Sequence, residues 1–197
     1  MTYKLGLTGS IGMGKSTTAQ VFADQGCGVW DADVAVHRLY AINGAAVAPI
    51  AAVFPNVVKQ GFICRQAVKQ LISHNSAALK QIEMIVHPLV AQDRQRFIDQ
   101  AEYPIIVFDI PLLFEMGGQR QFDAVACVYI SPDDQRRRVM TRGTMTEQQL
   151  DYILSKQIPI AEKRALSDYQ ILTDNVAHVT DQVTKILMAI EEQISNA

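Results

Sequence analysis

The stretch GLTGSIGMGKST, residues 6–17, has the residue types and the spacing of a phosphate-binding loop. It contains the pattern G-x-x-x-x-G-K-[ST], in which glycines let backbone N–H groups turn inward and approach an anion closely. The Lys15 ammonium can reach the β- and γ-phosphates of a nucleotide, and the Ser16 hydroxyl can bind Mg²⁺. A glycine-rich turn that binds nothing is the alternative, but a strand pattern precedes the stretch and a helix pattern follows it. We therefore predict that this loop binds phosphate.

An aspartate follows an apolar run in the segment FDIPLLFE, residues 108–115. A carboxylate at the end of a buried strand is the arrangement that supports Mg²⁺ in many phosphate-loop enzymes. Asp109 is therefore a candidate metal ligand together with Ser16. The competing interpretation is that Asp109 only makes a turn at the end of its strand. A phosphate loop in the same predicted sheet makes this interpretation less favoured.

A second acidic segment, Asp31-Ala32-Asp33, ends another short apolar run. The carboxyl ends of strands in a doubly wound sheet form the ligand crevice, so these carboxylates could orient or deprotonate an acceptor hydroxyl. Asp33 could equally be the N-cap of a helix that starts at Val34, since Asp is a favoured N-cap residue. The two roles do not exclude each other.

Arginines cluster between residues 131 and 157. Ser131-Pro-Asp-Asp predicts a capped helix start, and Thr146 with Gln149 predicts a capping box for a second helix after Gly143. Arg138 and Arg142 are four residues apart, so they lie on one helix face. This hairpin is either a solvated surface element or a lid whose arginines close over a transferred phosphate.

The composition describes an ordinary globular chain of 197 residues with 49% apolar residues and a net charge of −2. This charge does not favour nucleic acid as a partner, because binding to a phosphate backbone leaves a basic footprint. Cys27, Cys64 and Cys127 are far apart and lack metal-site spacing, which indicates buried thiols in a reducing cytosol. We see neither a signal-peptide pattern nor an apolar run long enough to cross a membrane, and we expect a cytoplasmic protein.

The elements that must position these residues alternate between strand and helix patterns, which predicts a parallel five-stranded α/β sheet of the P-loop type, flanked by helices. The predicted strands are Lys4–Thr8, Gly28–Asp31, Ile105–Asp109, Val125–Ile130 and Gln170–Thr173. The section from Val34 to Tyr103 shows no convincing strand and is predicted to be a helical insertion. Its predicted helices are Val34–Tyr40, Ala45–Val53, Arg65–Ser73 and Ser76–Gln100, and a packing helix over Val179–Ile194 ends the chain.

In the order and spacing of these motifs, the chain resembles the dephospho-CoA kinases, a family of P-loop enzymes. The resemblance covers nearly the whole length, through GLTGSIGMGKST, DAD at 31–33 followed by His37 and Leu39, HP at 87–88, DIPLLFE at 109–115, the arginine-rich segment ending at Gln157, and KRALSDY at 163–169. It implies transfer of the ATP γ-phosphoryl to the ribose 3′-hydroxyl of dephospho-CoA, with Mg²⁺ as the metal. It also implies a core over residues 1–33, 104–135 and 158–197, an acceptor-side insertion over 34–103 and a lid over 136–157.

The resemblance also implies roles for individual residues. Asp33, Lys15 and Arg142 would be catalytic, with Asp33 as the base. The ATP-binding residues would be Gly9, Gly12, Met13, Gly14, Lys15, Ser16 and Thr17. The acceptor-binding residues would be Asp33, His37, His87, Pro88, Leu112 and Glu115, although a histidine at a helix boundary, as we take His87 to be, is more often structural.

The chain departs from the family pattern at two positions. The second lid helix usually has an arginine four residues before Gln157, where this chain has Ile153, although Lys156 could supply the charge. The family often has asparagine at the position of Thr173, which leaves the adenine-side contacts open.

We expect a small-molecule acceptor, no nucleic-acid or membrane partner, and a monomer or a weak homo-oligomer. Another P-loop kinase, acting on a nucleoside or a shikimate-like acceptor, is the alternative. A GTPase switch is disfavoured because the sequence has neither N-K-x-D nor D-x-x-G.

Overall fold

A computed structural model describes residues 2–196. Five strands form one sheet: β1 (Tyr3–Thr8), β2 (Gly28–Asp31), β5 (Ile105–Asp109), β6 (Ala124–Tyr129) and β7 (Tyr169–Leu172). The register is parallel where β1 pairs with β5 and β6, and where β6 pairs with β7. The order of the strands in the sheet is β2-β5-β1-β6-β7. The predicted five-stranded parallel sheet is confirmed, and each predicted strand lies within one residue of its observed bounds.

Helices lie between most of the strands, and one helix follows β7. They are α1 (Lys15–Asp24), α2 (Ala32–Tyr40), α3 (Val47–Val53), α4 (Arg65–His74), α5 (Ser76–Gln100), α6 (Pro132–Thr141), α7 (Glu147–Lys156), α8 (Ile160–Ala165) and α9 (Val176–Ser195). Short 3-10 helices lie at Pro55–Val57 and Gly118–Gln121. Among residues 2–196 there is no helix that combines the length and the apolarity needed to cross a bilayer.

The chain divides into two compact units, Met1–Trp30 with Glu102–Ala197, and Asp31–Ala101. In the first unit one face of the sheet is covered by α1 and α9. The residues of this core include Leu5, Leu7, Phe22, Val107, Val128, Ile171, Val183 and Ile190. Alternate side chains of each strand point to the other face of the sheet. There Val125 packs on Leu113 and Phe114. This two-sided burial explains why the strands read as continuous apolar runs.

The second unit has a core of its own, formed by α2 to α5 and a small hairpin. Its buried residues are Leu39, Ala46, Ile50, Val57, Ile63, Val68, Ile82 and Val86. An ion pair of 2.6 Å between Arg38 and Asp93 joins α2 to α5. The four helices agree with the predicted helical section.

Two expectations for the part of the second unit that follows α3 are wrong. Val58–Lys59 (β3) and Phe62–Ile63 (β4) form an antiparallel hairpin where no strand was predicted. Its turn needs left-handed backbone at Gln60 (φ 50°) and Gly61 (φ 83°), and glutamine rarely signals such a turn. His87 does not mark a helix boundary, because α5 continues through Pro88 to Gln100.

Candidate active site

The phosphate loop connects β1 to α1 in a conformation that depends on glycine. Gly12 (φ 76°) and Gly14 (φ 84°) both have left-handed backbone, which side chains with a Cβ disfavour. Gly14 is the N-cap of α1, so the helix begins at Lys15 and directs its positive dipole end towards the loop. Ser16 and Thr17 are exposed in the first turn, whereas Met13 is buried in the core. The loop therefore has the backbone form that anion binding requires.

Lys15 and Asp109 are brought into direct contact. The Lys15 ammonium forms an ion pair with Oδ1 of Asp109, at the end of β5. Asp109 is only 1% exposed and Lys15 is 15% exposed, so little water screens the pair. Their proximity follows from the sheet order, because β1 and β5 are neighbours and both end at this edge.

A cavity of about 520 Å³ opens beside the loop. This volume lies in the range of small-molecule binding sites. Three parts of the chain line it: the loop with the start of α1, the end of α6, and the segment from Thr173 into the start of α9. The lining residues are Gly14, Thr17, Arg137, Arg138, Thr141, Arg142, Thr173, Asp174, Asn175, Val176 and Val179. The cavity thus combines phosphate-loop residues with three arginines, which favours an anionic ligand such as a nucleotide.

The arginine-rich hairpin has the predicted caps. Ser131 accepts a hydrogen bond from the Asp134 N–H at the start of α6, and Thr146 and Gln149 form a reciprocal capping box at α7. Gly143 (φ 62°) follows the last residues of α6, as predicted. Arg136 pairs with Asp151 of α7 at 2.7 Å, and this hydrogen bond raises the pKa of Arg136. The two helices are thereby tied together.

The arginines of α6 have different surroundings. Arg138 donates to the Thr173 hydroxyl at 3.2 Å and also to the Thr173 carbonyl, so it is fixed to the end of β7. Arg142, one turn later, is exposed and lines the same cavity. The two arginines therefore share one helix face, as their spacing predicts. On α7, Ile153 is partly buried and the Lys156 ammonium lies 5.4 Å from the centre of the Tyr152 ring.

A buried lysine in the first unit was missed by sequence reasoning. Lys163 of α8 is 0% exposed and its ammonium lies 2.7 Å from Oε1 of Glu115. It also donates to the Pro111 carbonyl at 3.4 Å, and the Ile158 N–H donates to Oε1 of Glu115. The only sequence signal was the lysine in KRALSDY, which looks like a surface residue because arginine follows it. Leu112, in the segment held by Lys163, is exposed.

The second unit carries the remaining predicted acceptor residues. Asp31, not Asp33, is the N-cap of α2, because its carboxylate accepts a hydrogen bond of 2.9 Å from the Val34 N–H. Of the two roles considered for Asp33, the N-cap is therefore wrong, since the helix begins two residues earlier than predicted. Asp33 and His37 are both exposed and are four residues apart on α2. His87 and Pro88 are exposed on α5.

The donor atoms beside the phosphate loop are oxygens, the type that Mg²⁺ prefers. In the described part of the chain no group of three or more His, Cys, Asp or Glu side chains is placed to hold a metal ion. Mg²⁺ in phosphotransferases needs fewer protein ligands, because it keeps waters and binds substrate phosphates. Oxygen donors from Ser16 and Asp109, beside the phosphate loop, fit such a site.

Comparison with known proteins identifies relatives over nearly the whole chain. A family model described as "CoaE: Dephospho-CoA kinase" matches residues 3–181. A dephospho-CoA kinase from Ruegeria pomeroyi is 58% identical over 190 residues, with 96% of each chain covered. One from Jannaschia sp. is 52% identical over 193 residues, covering 94% of this chain and 99% of the relative.

A solved structure shares the architecture. The crystal structure of TT1252 from Thermus thermophilus has a TM-score of 0.85 and 27% identity, and covers 95% of this chain and 97% of its own. The loop, the cavity with its arginines and the full-length matches agree with one another. The chain belongs to the dephospho-CoA kinase family.

Proposed function

We propose that this chain transfers the γ-phosphoryl group of ATP to the ribose 3′-hydroxyl of dephospho-CoA, giving CoA and ADP. The observation that carries the proposal is the phosphate loop opening onto a cavity of about 520 Å³ lined by three arginines. The acceptor follows from membership of the family, because a phosphate loop alone does not select an acceptor.

On the nucleotide side, the chain's residues supply position and charge. Backbone N–H groups of the loop and the Lys15 ammonium bind the β- and γ-phosphates, which requires the ammonium to exchange part of its contact with Asp109 for phosphate oxygens. Arg142 contributes positive charge from the cavity wall. Phosphoryl transfer passes through a loose transition state, so such positioning and charge stabilisation are the main contributions a protein can make.

On the acceptor side, Asp33 accepts the proton of the attacking hydroxyl. Two observations support this role: Asp31 already caps α2, and the Asp33 carboxylate is exposed in the first turn. His37 shares its helix face, and His87 and Pro88 on α5, with Leu112 and Glu115, complete the proposed acceptor contacts. Residues 34–103 are the acceptor part and residues 136–157 the lid.

Mg²⁺ would be held by Ser16 and Asp109 together with nucleotide phosphates, where it neutralises charge on the phosphate oxygens. We further propose a cytoplasmic monomer or weak homo-oligomer that binds no nucleic acid. The three free cysteines are in keeping with a reducing compartment.

The test is ADP release with Mg²⁺–ATP against a panel of acceptors: dephospho-CoA, adenosine, AMP, shikimate and water. Release with dephospho-CoA alone is the expected result. Faster release with adenosine or shikimate would keep the P-loop kinase and overturn the acceptor. If ADP were released as fast with water alone as with dephospho-CoA, the chain would be an ATP hydrolase.

A further inference from the structure

The carbonyl groups on either side of Gly12 are both held by side chains from outside the phosphate loop. The Gln135 amide on α6 donates a hydrogen bond of 2.6 Å to the Ile11 carbonyl. The Thr173 hydroxyl, directly after β7, donates one of 2.8 Å to the Met13 carbonyl. Each of the two side chains is only 5% exposed, so little water competes for these bonds.

These bonds matter because of the direction in which the loop backbone faces. A loop that binds an anion turns its N–H groups inward, and its carbonyls then point towards the surrounding protein. A buried carbonyl needs a hydrogen-bond donor. Without one, the free energy of the loop is lower when the peptide group turns towards water. Gln135 and Thr173 supply these donors for two alternate residues of the loop.

Packing at the glycines connects the same elements. A Cβ on Gly12 would overlap Val139 of α6, and a Cβ on Gly14 would lie 3.1 Å from Cβ and Oγ1 of Thr173. The Thr173 hydroxyl also accepts a hydrogen bond of 3.2 Å from Arg138. The α6 helix therefore contacts the loop directly through Gln135 and indirectly through Arg138 and Thr173.

We propose that Gln135 and Thr173 are positioning residues that hold the phosphate loop in its anion-binding form before the nucleotide arrives. The inference rests on the proposed function, since it takes ATP phosphates as the ligand of the loop. It assigns Thr173, where the family often has asparagine, to support of the loop rather than to recognition of adenine. It also makes α6, the first helix of the arginine-rich hairpin, part of the phosphate site.

Binding of three ligands, measured by calorimetry, tests this role: ATP, tripolyphosphate and adenosine. Thr173→Val removes the hydroxyl with little change of shape. We expect it to raise the Kd of ATP and of tripolyphosphate about five- to tenfold, the effect of one hydrogen bond, and to leave the Kd of adenosine unchanged. Thr173→Ser keeps the hydroxyl, so we expect it to bind ATP and tripolyphosphate about as tightly as the wild-type protein does. Thr184→Val, the same change at an exposed position on α9, is the matched control.

Gln135→Met is a second variant, with the same expected pattern, and it decides the matter if Thr173→Val does not fold. An equal loss of adenosine binding would make Thr173 a base contact and overturn the proposal. Unchanged ATP binding in both variants, or a Thr173→Ser variant as weak as Thr173→Val, would also overturn it, as would failure of both variants to fold. Wild-type protein that binds neither ATP nor tripolyphosphate would instead refute the proposed function.

Discussion

At the scale of single residues, Asp33 carries the most specific chemical assignment. The structure separates it from Asp31, whose carboxylate is occupied in capping α2. We expect Asp33→Asn to lower kcat about a hundredfold or more, the usual contribution of a general base, while ATP binding changes little. Initial rates and ATP titration of the variant check this.

A matched control for Asp33 is available on α9. Asp181→Asn makes the same chemical change at an exposed position and should leave kcat unchanged. If the Asp33→Asn variant turned over as fast as the wild-type protein, Asp33 would not be the base. It would then be only an exposed residue in the first turn of α2.

Lys15 should affect binding and turnover together. Its ammonium forms an ion pair with the buried Asp109, and in the proposed reaction it binds phosphate. Lys15→Met is expected to weaken ATP binding at least about tenfold and to lower kcat further, because the charge acts in both the ground state and the transition state. Fluorescence titration with a labelled ATP and steady-state rates measure the two effects.

The same substitution at Lys185, exposed on α9, provides the comparison for Lys15. Normal ATP binding by Lys15→Met would contradict our assignment of the loop.

At the scale of elements, we expect the arginine-rich hairpin to act through the arginines of α6. Arg142 lines the cavity, whereas Arg136 faces α7 and pairs with Asp151. Arg142→Ala should lower kcat about a hundredfold, as the loss of one donor to a transition state does, with little change in melting temperature. Arg136→Ala, on the same helix, should keep most of the activity; the reverse order of effects would show that our choice of arginine is wrong.

The segment after β5 depends on α8 through a buried charge. Lys163 is fully buried against Glu115 and the Pro111 carbonyl. Lys163→Met leaves the Glu115 carboxylate without its cation and should destabilise the fold by about 3 kcal/mol, as broken buried ion pairs do. Denaturant unfolding gives the value.

A double variant separates charge from packing at this site. The double variant Lys163→Met with Glu115→Gln removes both charges and should recover part of the stability that the single Lys163→Met variant loses. Equal destabilisation of the single and double variants would show that the lysine stabilises through packing alone.

How far the sequence predicts the elements depends on their length. Long or strongly patterned elements were predicted well: α5 has the expected bounds, and the caps at Ser131 and Thr146 are confirmed. The hairpin of β3 and β4 was missed because two-residue strands are too short to show alternation. The start of α2 was misplaced because Asp31 and Asp33 are equally good N-cap residues, and only the backbone decides between them.

At the scale of the whole molecule, local motifs predicted the candidate phosphate- and metal-binding residues better than they predicted the side chains that hold the surrounding backbone in place. The phosphate loop, Asp109 and the arginines were singled out as candidates because their residue types and spacing are specific. Lys163, Gln135 and the hydroxyl of Thr173 were missed, since each acts through a partner far away in the chain: Glu115, Ile11 and Met13, respectively. Such contacts depend on the order of the strands, which no local pattern encodes.

The central claim is that the phosphoryl group of ATP reaches the 3′-hydroxyl of dephospho-CoA. The most direct measurement is ³¹P NMR of the product formed by the purified chain with Mg²⁺–ATP and dephospho-CoA, together with its mass. We predict one new phosphomonoester signal that matches authentic CoA, formed in equal amount to ADP. A phosphomonoester at another position, or ADP formed without a phosphorylated acceptor, would contradict the claim.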